Sequence, residues 1–416
     1  MYIPRIIFDD IIKHLPKKEF TIITGARQTG KTTILKQLFN TIKKQNKEVF
    51  YLTLEKEEVL QEINNNPENI FQYTGKIANP LYEDVSETIY LLLDEIQYAD
   101  NPSNFLKYLY DTYSPNLKII ATGSSSFYID KKFKDSLVGR KRLFHLKTLN
   151  FDEFLVFKDK IDLKHELEKT RERQEYKSVR YAEIMHYLSE YLTFGGYPNV
   201  VLAQSDEEKI NVLEEIKNSY IKRDILDSKV ENRQAFYNLL NILAGQTGNL
   251  LNKNMLSKSL RIDLSTVENY LYILQKNFHI ELVKPFFRNI KKELIKMPKV
   301  YFNDIGLLNI FLNRFQVFVK REDKGSLLEN YVYIRLREIY RQDDIKFWRT
   351  ASGNEVDFVV SETFGKGKAF EVKYNANLLI KSKYKLFRNT YPDYPLKIIQ
   401  FDFSTEPVIT PVLKLQ

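Results

Sequence analysis

At 416 residues the chain exceeds what one hydrophobic core organises, and a typical domain of about 150 residues gives two or three domains. Its composition, 43% hydrophobic and 28% charged, is that of a soluble globular protein, and no apolar run reaches the roughly 18 residues a membrane span needs. The absence of Cys excludes disulfides, thiolate zinc sites and Cys nucleophiles; the opening Met1–Arg5, soon followed by Asp9 and Asp10, is unlike a signal peptide, and a cytoplasmic protein is expected.

In chain order, FTIIT at Phe20–Thr24 predicts a strand, followed by a Gly-containing loop and a helical pattern over Thr32–Phe39. Val49–Leu54, Thr88–Glu95 and Leu117–Gly123 are further short runs, apolar throughout, as in a parallel sheet covered on both faces. A charged helical stretch follows from Phe151 to Arg180, then a segment ending in the turn-prone Phe194-Gly195-Gly196-Tyr197-Pro198. Three helices and a hairpin pattern occupy Ala235 to about Leu308. From Ser326 the pattern is mixed α/β, with strands at Glu355–Val360 and Ala369–Tyr374. The expected domains are a P-loop core (1–149), a helical lid (150–234), a winged helix (235–308) and a C-terminal α/β domain (309–416).

Gly25-Ala26-Arg27-Gln28-Thr29-Gly30-Lys31-Thr32, continued by Thr33, fits GxxxxGK[ST] between a predicted strand and a predicted helix. Glycines let such a loop fold around phosphates, backbone N–H groups and the helix N-terminus attract their charge, Lys31 reaches the β/γ-phosphates, and Thr32 can coordinate Mg2+. Leu91-Leu92-Leu93-Asp94-Glu95 ends an apolar strand in two acids; Asp94 can hold the Mg2+ shell and Glu95 can orient the attacking water. Ser124, beyond the next strand, is the candidate γ-phosphate sensor, with a plain turn as the bland reading. Arg140 is a candidate transition-state cation, in cis or from a neighbouring subunit, against a solvated Arg in a basic run.

These strings, GARQTGKT, LLLDEIQ, ATGSSS, LVGR and FDEF, with the later FGGYP, resemble a family of bacterial and archaeal ATPases that join an AAA+-type (AAA_14-like) domain to a C-terminal DUF4143 domain. The resemblance spans nearly the whole chain. It implies an AAA+/STAND-like core with Lys31, Thr32, Asp94 and Glu95 in the matching functional positions. Arg223 in Tyr220-Ile221-Lys222-Arg223-Asp224 and the Gly195-Gly196-Tyr197-Pro198 turn carry no derivable role at this level.

The formal charge of +9 is concentrated locally: between Lys253 and Lys299 ten Lys/Arg face Asp263, Glu268, Glu281 and Glu293. Within that segment Asn254–Leu260 reads as a short helix, Arg261–Leu264 as a turn, and Ser265 as the cap of a longer helix with Glu268 closing a capping box. A basic hairpin or wing then follows. Read as a DNA-binding module, this places Thr266, Asn269 and Tyr270 near bases and Lys258, Arg261, Arg288, Lys291 and Lys292 on phosphates. A winged helix used for protein contact or structure alone is the alternative.

Near the C-terminus Glu371 and Lys373, two apart on a strand, share a face that Asp357 on a neighbouring strand can join. Two carboxylates could hold a second Mg2+ or Mn2+, and Lys373 could polarise a water. The constellation resembles the PD-(D/E)xK nuclease fold, and Glu329 in the preceding helix matches the extra acid some members use. A salt-bridged structural pair is the competing reading.

The expected function is ATP binding and hydrolysis coupled to DNA binding or processing, branched DNA included. The alternatives are a STAND-like nucleotide switch that recruits a protein, or an ATP-regulated, metal-dependent nuclease. Homo-oligomers are compatible with all three.

Overall fold

A computed structural model describes residues 2–75, 78, 88–123, 139–173, 175–220, 222, 225, 230–287, 296–363, 365–375, 381–406 and 408–415. It divides into two compact units, residues 1–148 with 276–278, and residues 149–275 with 279–416. Among the described residues no helix is long and apolar enough to cross a membrane.

The first unit runs α1 (Ile6–His14), β1 (Phe20–Thr24), α2 (Lys31–Lys44), β2 (Val49–Thr53), α3 (Glu57–Asn65), β3 (Ile89–Asp94), α4 (Pro102–Tyr113), β4 (Leu117–Gly123) and β5 (Lys141–His145). The strands form one parallel sheet in the order β2-β3-β4-β1-β5. Side chains on a strand alternate between faces, so apolar runs such as LLL feed two cores. Ile22, Leu91, Leu93, Ile119 and Ala121 enter one core with Val59 of α3 and Leu106 of α4. Ile23, Leu92, Ile120 and Phe144 enter the other with Ile11 of α1 and Leu35 of α2. Two covered faces leave only the strand ends open, and β4 lies between the strand leading into the phosphate loop and the strand ending in Asp94. The strand β5 falls within a basic run that the apolar pattern does not single out.

The second unit opens with α5 (Phe151–Phe157), α6 (Ile161–Glu172), α7 (Tyr181–Phe194), α8 (Pro198–Leu202) and α9 (Asp206–Glu215). Then come α10 (Arg233–Gly245), α11 (Lys253–Leu260), α12 (Leu264–Lys276), β6 (Ile280–Val283) and β7 (Lys299–Phe302). The last part holds α13 (Ile305–Leu312), α14 (Lys324–Ile339), β8 (Ile345–Arg349), β9 (Glu355–Thr363), β10 (Lys366–Lys373), α15 (Lys385–Thr390), β11 (Leu396–Gln400) and β12 (Ile409–Pro411). β6 and β7 pair antiparallel, while β12-β11-β10-β9-β8 form a mixed sheet, parallel from β10 to β12 and antiparallel from β8 to β10.

The segments expected as lid, winged helix and C-terminal domain are stitched together within this unit. The Gly196 N–H donates to Asp304 at 2.9 Å, and Asp304 also caps α13 through the Leu307 N–H at 2.9 Å. A Cβ on Gly195 would lie 2.3 Å from the Gly306 nitrogen, and one on Gly196 2.2 Å from the Leu149 carbonyl oxygen. The Gly195-Gly196 turn therefore exists to let two backbones touch. Beyond β6, Phe286 donates to the Phe347 carbonyl at 2.5 Å and Phe347 to that of Lys284 at 3.1 Å, joining the hairpin to β8. Of the hairpin expected from sequence, residues 288–295 lie outside the described residues; β6 pairs with Lys299–Phe302.

Candidate functional site

The loop after β1 is shaped by backbone constraints that its residue types meet. Gly25 sits so close to Leu146 that a Cβ would fall 2.0 Å from the Leu146 carbonyl oxygen, and Gly30 has φ +97, a region open to glycine. Thr29 Oγ1 donates to the Ala26 carbonyl at 2.7 Å and closes the loop on itself. Gly30 is the N-cap of α2, and the buried Lys31 ammonium donates to the carbonyls of Gly25 at 3.0 Å and Ala26 at 2.9 Å. The cation and the amide-bearing start of α2 are thus gathered at one loop, the chemistry an anionic ligand requires. Thr32 is partly exposed at the first turn, beside an exposed Thr33; Gln28 is exposed and Arg27 partly so.

Asp94 and Glu95 lie across β4 from the loop, at the same carboxyl end of the sheet. Asp94 is buried and held from both sides: the Tyr51 hydroxyl of β2 donates to Oδ2 at 2.8 Å, and the Thr122 hydroxyl of β4 donates to Oδ1. Burial and the adjoining Asp94 carboxylate push the Tyr51 hydroxyl well above its ordinary pKa, which keeps it a donor at every physiological pH. Glu95 has φ +59, uncommon for a side chain of its size, and its N–H donates to Thr122 Oγ1 at 3.0 Å while Gln97 Nε2 donates to its carboxylate. Among the hydroxyls at the Ala121–Ser124 strand end the sequence reading favours Ser124 over Thr122, and it singles out neither Gln97, two residues beyond Glu95, nor Tyr51, which only the order β2-β3 makes a neighbour of Asp94. Ser124, the expected sensor, lies outside the described residues.

Arg140 does not join this group within its own chain. It precedes β5, where its carbonyl accepts the N–H of Phe20 at the start of β1. β1 is five residues long, so Arg140 stands about 16 Å from the phosphate loop, at the opposite end of the strands. There its guanidinium pairs with Asp111 at 2.8 Å and lies over the Tyr110 ring. This corrects the cis reading of Arg140.

In the segment α10 to β7, Lys258, Arg261 and Asn269 are exposed and Thr266 partly so, whereas Arg288, Lys291 and Lys292 lie outside the described residues, as does Arg223. Tyr270, expected near bases, is a core residue: its ring meets Phe236 edge-on at 5.1 Å and its hydroxyl bonds the Asn232 backbone. It lies three residues from Val267 on the buried side of α12. Ser265 is inside the first turn of α12 rather than its cap, since the helix begins at Leu264. The outward face of α12 presents Leu264, Ser265, Glu268, Asn269 and Tyr272, and Glu268 pairs with Lys253 of α11 at 2.7 Å.

Glu329 of α14, Asp357 of β9 and Glu371 and Lys373 of β10 do converge, but around a lysine that sequence reading left in the general charge count. The buried Lys299 ammonium of β7 lies 3.0 Å from Glu329, 2.5 Å from Glu355 and 3.6 Å from Asp357. The second Asp357 oxygen accepts the Val372 N–H at 2.8 Å. Glu371 Oε1 accepts from Lys373 at 2.7 Å and from the Tyr384 hydroxyl at 2.8 Å, and the Tyr301 hydroxyl donates to Glu329 at 2.6 Å. Burial first and then the charge of Asp357 raise both Glu329 and Glu371, each to about 7. Burial would lower Lys299, but Glu329, Asp357 and Glu355 outweigh it and hold the ammonium above its ordinary value.

The divalent cation implied by the nuclease resemblance does not fit this arrangement. Among the described residues no group of three or more His, Asp or Glu is placed to hold a metal ion. The Lys299 ammonium already sits among Glu329, Glu355 and Asp357, the space a cation with several oxygen ligands would need, while Glu371 Oε2 is buried without a hydrogen-bond partner among the described residues.

Comparison with known proteins finds three family models along the chain. Residues 17–155 match the family described as an AAA domain, residues 185–317 a domain of unknown function (DUF8612) and residues 324–401 another (DUF4143). The chain is 28% identical to an uncharacterized protein of Methanocaldococcus jannaschii over 96% of its own length and 85% of that protein. It is likewise 28% identical to an uncharacterized protein of Haemophilus influenzae, over 88% of this chain and 87% of that one. Among solved structures it is similar to Aeropyrum pernix ORC1 in complex with DNA (11% identity, 74% of this chain and 91% of that chain, TM-score 0.30). It is similar also to AMPPCP-bound DnaA from Aquifex aeolicus (16% identity, 65% and 86%, TM-score 0.30).

Proposed function

We propose that the protein binds ATP with Mg2+ and hydrolyses it, and that the nucleotide state governs the second unit's contact with DNA. The observation that carries the nucleotide reading is the pairing of the Lys31 loop with an Asp94 fixed by Tyr51 and Thr122 at the same end of one sheet. Thr32 and Asp94 would hold Mg2+, which when bound neutralises charge on the β- and γ-phosphates. Loop amides and Lys31 bind and orient the triphosphate, and Glu95 aligns a water and accepts its proton.

The order helix, helix, turn, helix, hairpin from α10 to β7 supports a winged-helix reading, with Leu250 bridging to Lys299 as a third edge. Exposed Lys258 and Arg261 at the turn suit phosphate contact. The nucleotide-switch alternative draws support from Gln97, whose hold on the Glu95 carboxylate suits slow basal turnover. Cleavage by the Lys299-filled cluster forms no part of this reading.

ATP turnover by wild type, Lys31→Ala and Glu95→Gln, with and without duplex or branched DNA, tests these statements. Turnover that needs Lys31 and rises with DNA is expected. Intact hydrolysis in Lys31→Ala would overturn the nucleotide reading, and tight ATP binding with no DNA effect would favour the switch.

A further inference from the structure

The residue before α1, Arg5, is buried, with a guanidinium that bridges two backbone carbonyls far apart in the chain. Nη1 donates to the Thr29 carbonyl at 2.8 Å, and Nη2 to the Lys147 carbonyl at 2.7 Å. The first bond acts on the phosphate loop itself. A trans peptide directs its C=O and N–H to opposite sides, so holding the Thr29 carbonyl outward turns the Gly30 N–H to the other side of the loop. The left-handed φ of Gly30 accommodates that turn.

The second bond acts on the segment that follows β5. Leu146 donates to the Thr24 carbonyl at 2.7 Å, and its own carbonyl lies so close to Gly25 that no side chain fits there. Residues 146 and 147 therefore lie along the loop from Thr24 to Thr29, fastened at the far end by Arg5. The second unit begins at Leu149, two residues beyond Lys147.

We propose that Arg5 is a positioning residue for the nucleotide, fixing the loop's amide orientation and tying the loop to the segment through which the chain passes into the second unit. This rests on the nucleotide reading above. A planar guanidinium reaches two carbonyls in a fixed fork, whereas the compact lysine ammonium does not reproduce that geometry. Conformational change at the loop then reaches residues 146–149 through Arg5.

The test compares wild type, Arg5→Lys and Arg5→Gln in titrations with a non-hydrolysable ATP analogue and Mg2+, followed by hydrogen exchange of peptides covering 25–32 and 146–149. Far-UV circular dichroism and melting establish that each variant is folded, and Arg5→Gln, which keeps a neutral donor, serves if Arg5→Lys is not. Wild type is expected to gain protection in both peptides on binding. The variants bind roughly tenfold more weakly or worse. At saturating analogue they protect 25–32 while 146–149 exchanges as in the free protein. Wild-type affinity together with wild-type protection at 146–149 in the variants would overturn the inference alone. Failure of wild type to bind the analogue would overturn both it and the nucleotide reading.

Discussion

The hydroxyl of Thr122 donates to the carboxylate of Asp94 and in the same position accepts the N–H of the next residue, Glu95, at 3.0 Å. One side chain on β4 thereby sets the orientation of both acids that end β3. Thr122→Val keeps the shape and removes both bonds. Turnover should fall roughly tenfold to a hundredfold, since small misplacement of a catalytic group costs that much. Stability should fall by about 1–3 kcal/mol as buried groups lose a partner. Steady-state kinetics beside chemical denaturation reads both.

Glu95→Gln retains the size of the side chain and its backbone bond to Thr122 but cannot accept a proton. ATP affinity should remain within a few-fold of wild type while kcat drops by about a hundredfold or more. A proportionate loss of affinity would instead assign Glu95 to binding.

These acids show what was legible beforehand. The loop and the Asp94–Glu95 pair are written in consecutive residues, because phosphate recognition there is local backbone chemistry. Tyr51, Thr122 and Arg5 reach the site from a neighbouring strand, a second strand and the start of the chain, and no spacing rule connects them. Lys299 was hidden for the same reason: its acidic partners come from α14 and β9. Tyr270 belongs to the buried side of α12, which the order of helices alone does not reveal.

Lys299→Met removes the cation from among Glu329, Glu355 and Asp357 and leaves them buried together. Breaking a buried pair by deleting one partner typically costs about 3–5 kcal/mol. The second unit should lose stability on that scale in urea denaturation. Manganese added to the variant should recover part of it, while wild type shows no such response; equal response of both would refute the view that Lys299 fills the centre.

The two units should answer pH in opposite directions. Glu329 and Glu371, raised to about 7, keep protons in the folded state that the unfolded chain releases near its ordinary value of 4.5, so stability of the second unit falls as pH rises from about 4.5 to 7. His14 of α1, lowered to about 4 by burial and then by Lys118, stays neutral when folded while the unfolded imidazole binds a proton below 6.5. The first unit therefore gains stability as pH rises from about 4 to 6.5. Hydrogen exchange resolved by unit should show both slopes, with Glu371→Gln flattening the one and His14→Gln the other.

The backbone of Lys299 is a strand of the β6–β7 hairpin and also bridges Leu250, while its side chain ends among acids carried by α14 and β9. A cut anywhere between β7 and α14 would part a charge from its counter-charges and a hairpin from the sheet it extends. The segments 235–308 and 309–416 should thus melt as one transition, and a fragment ending near 310 should be recovered only as unfolded or aggregated chain.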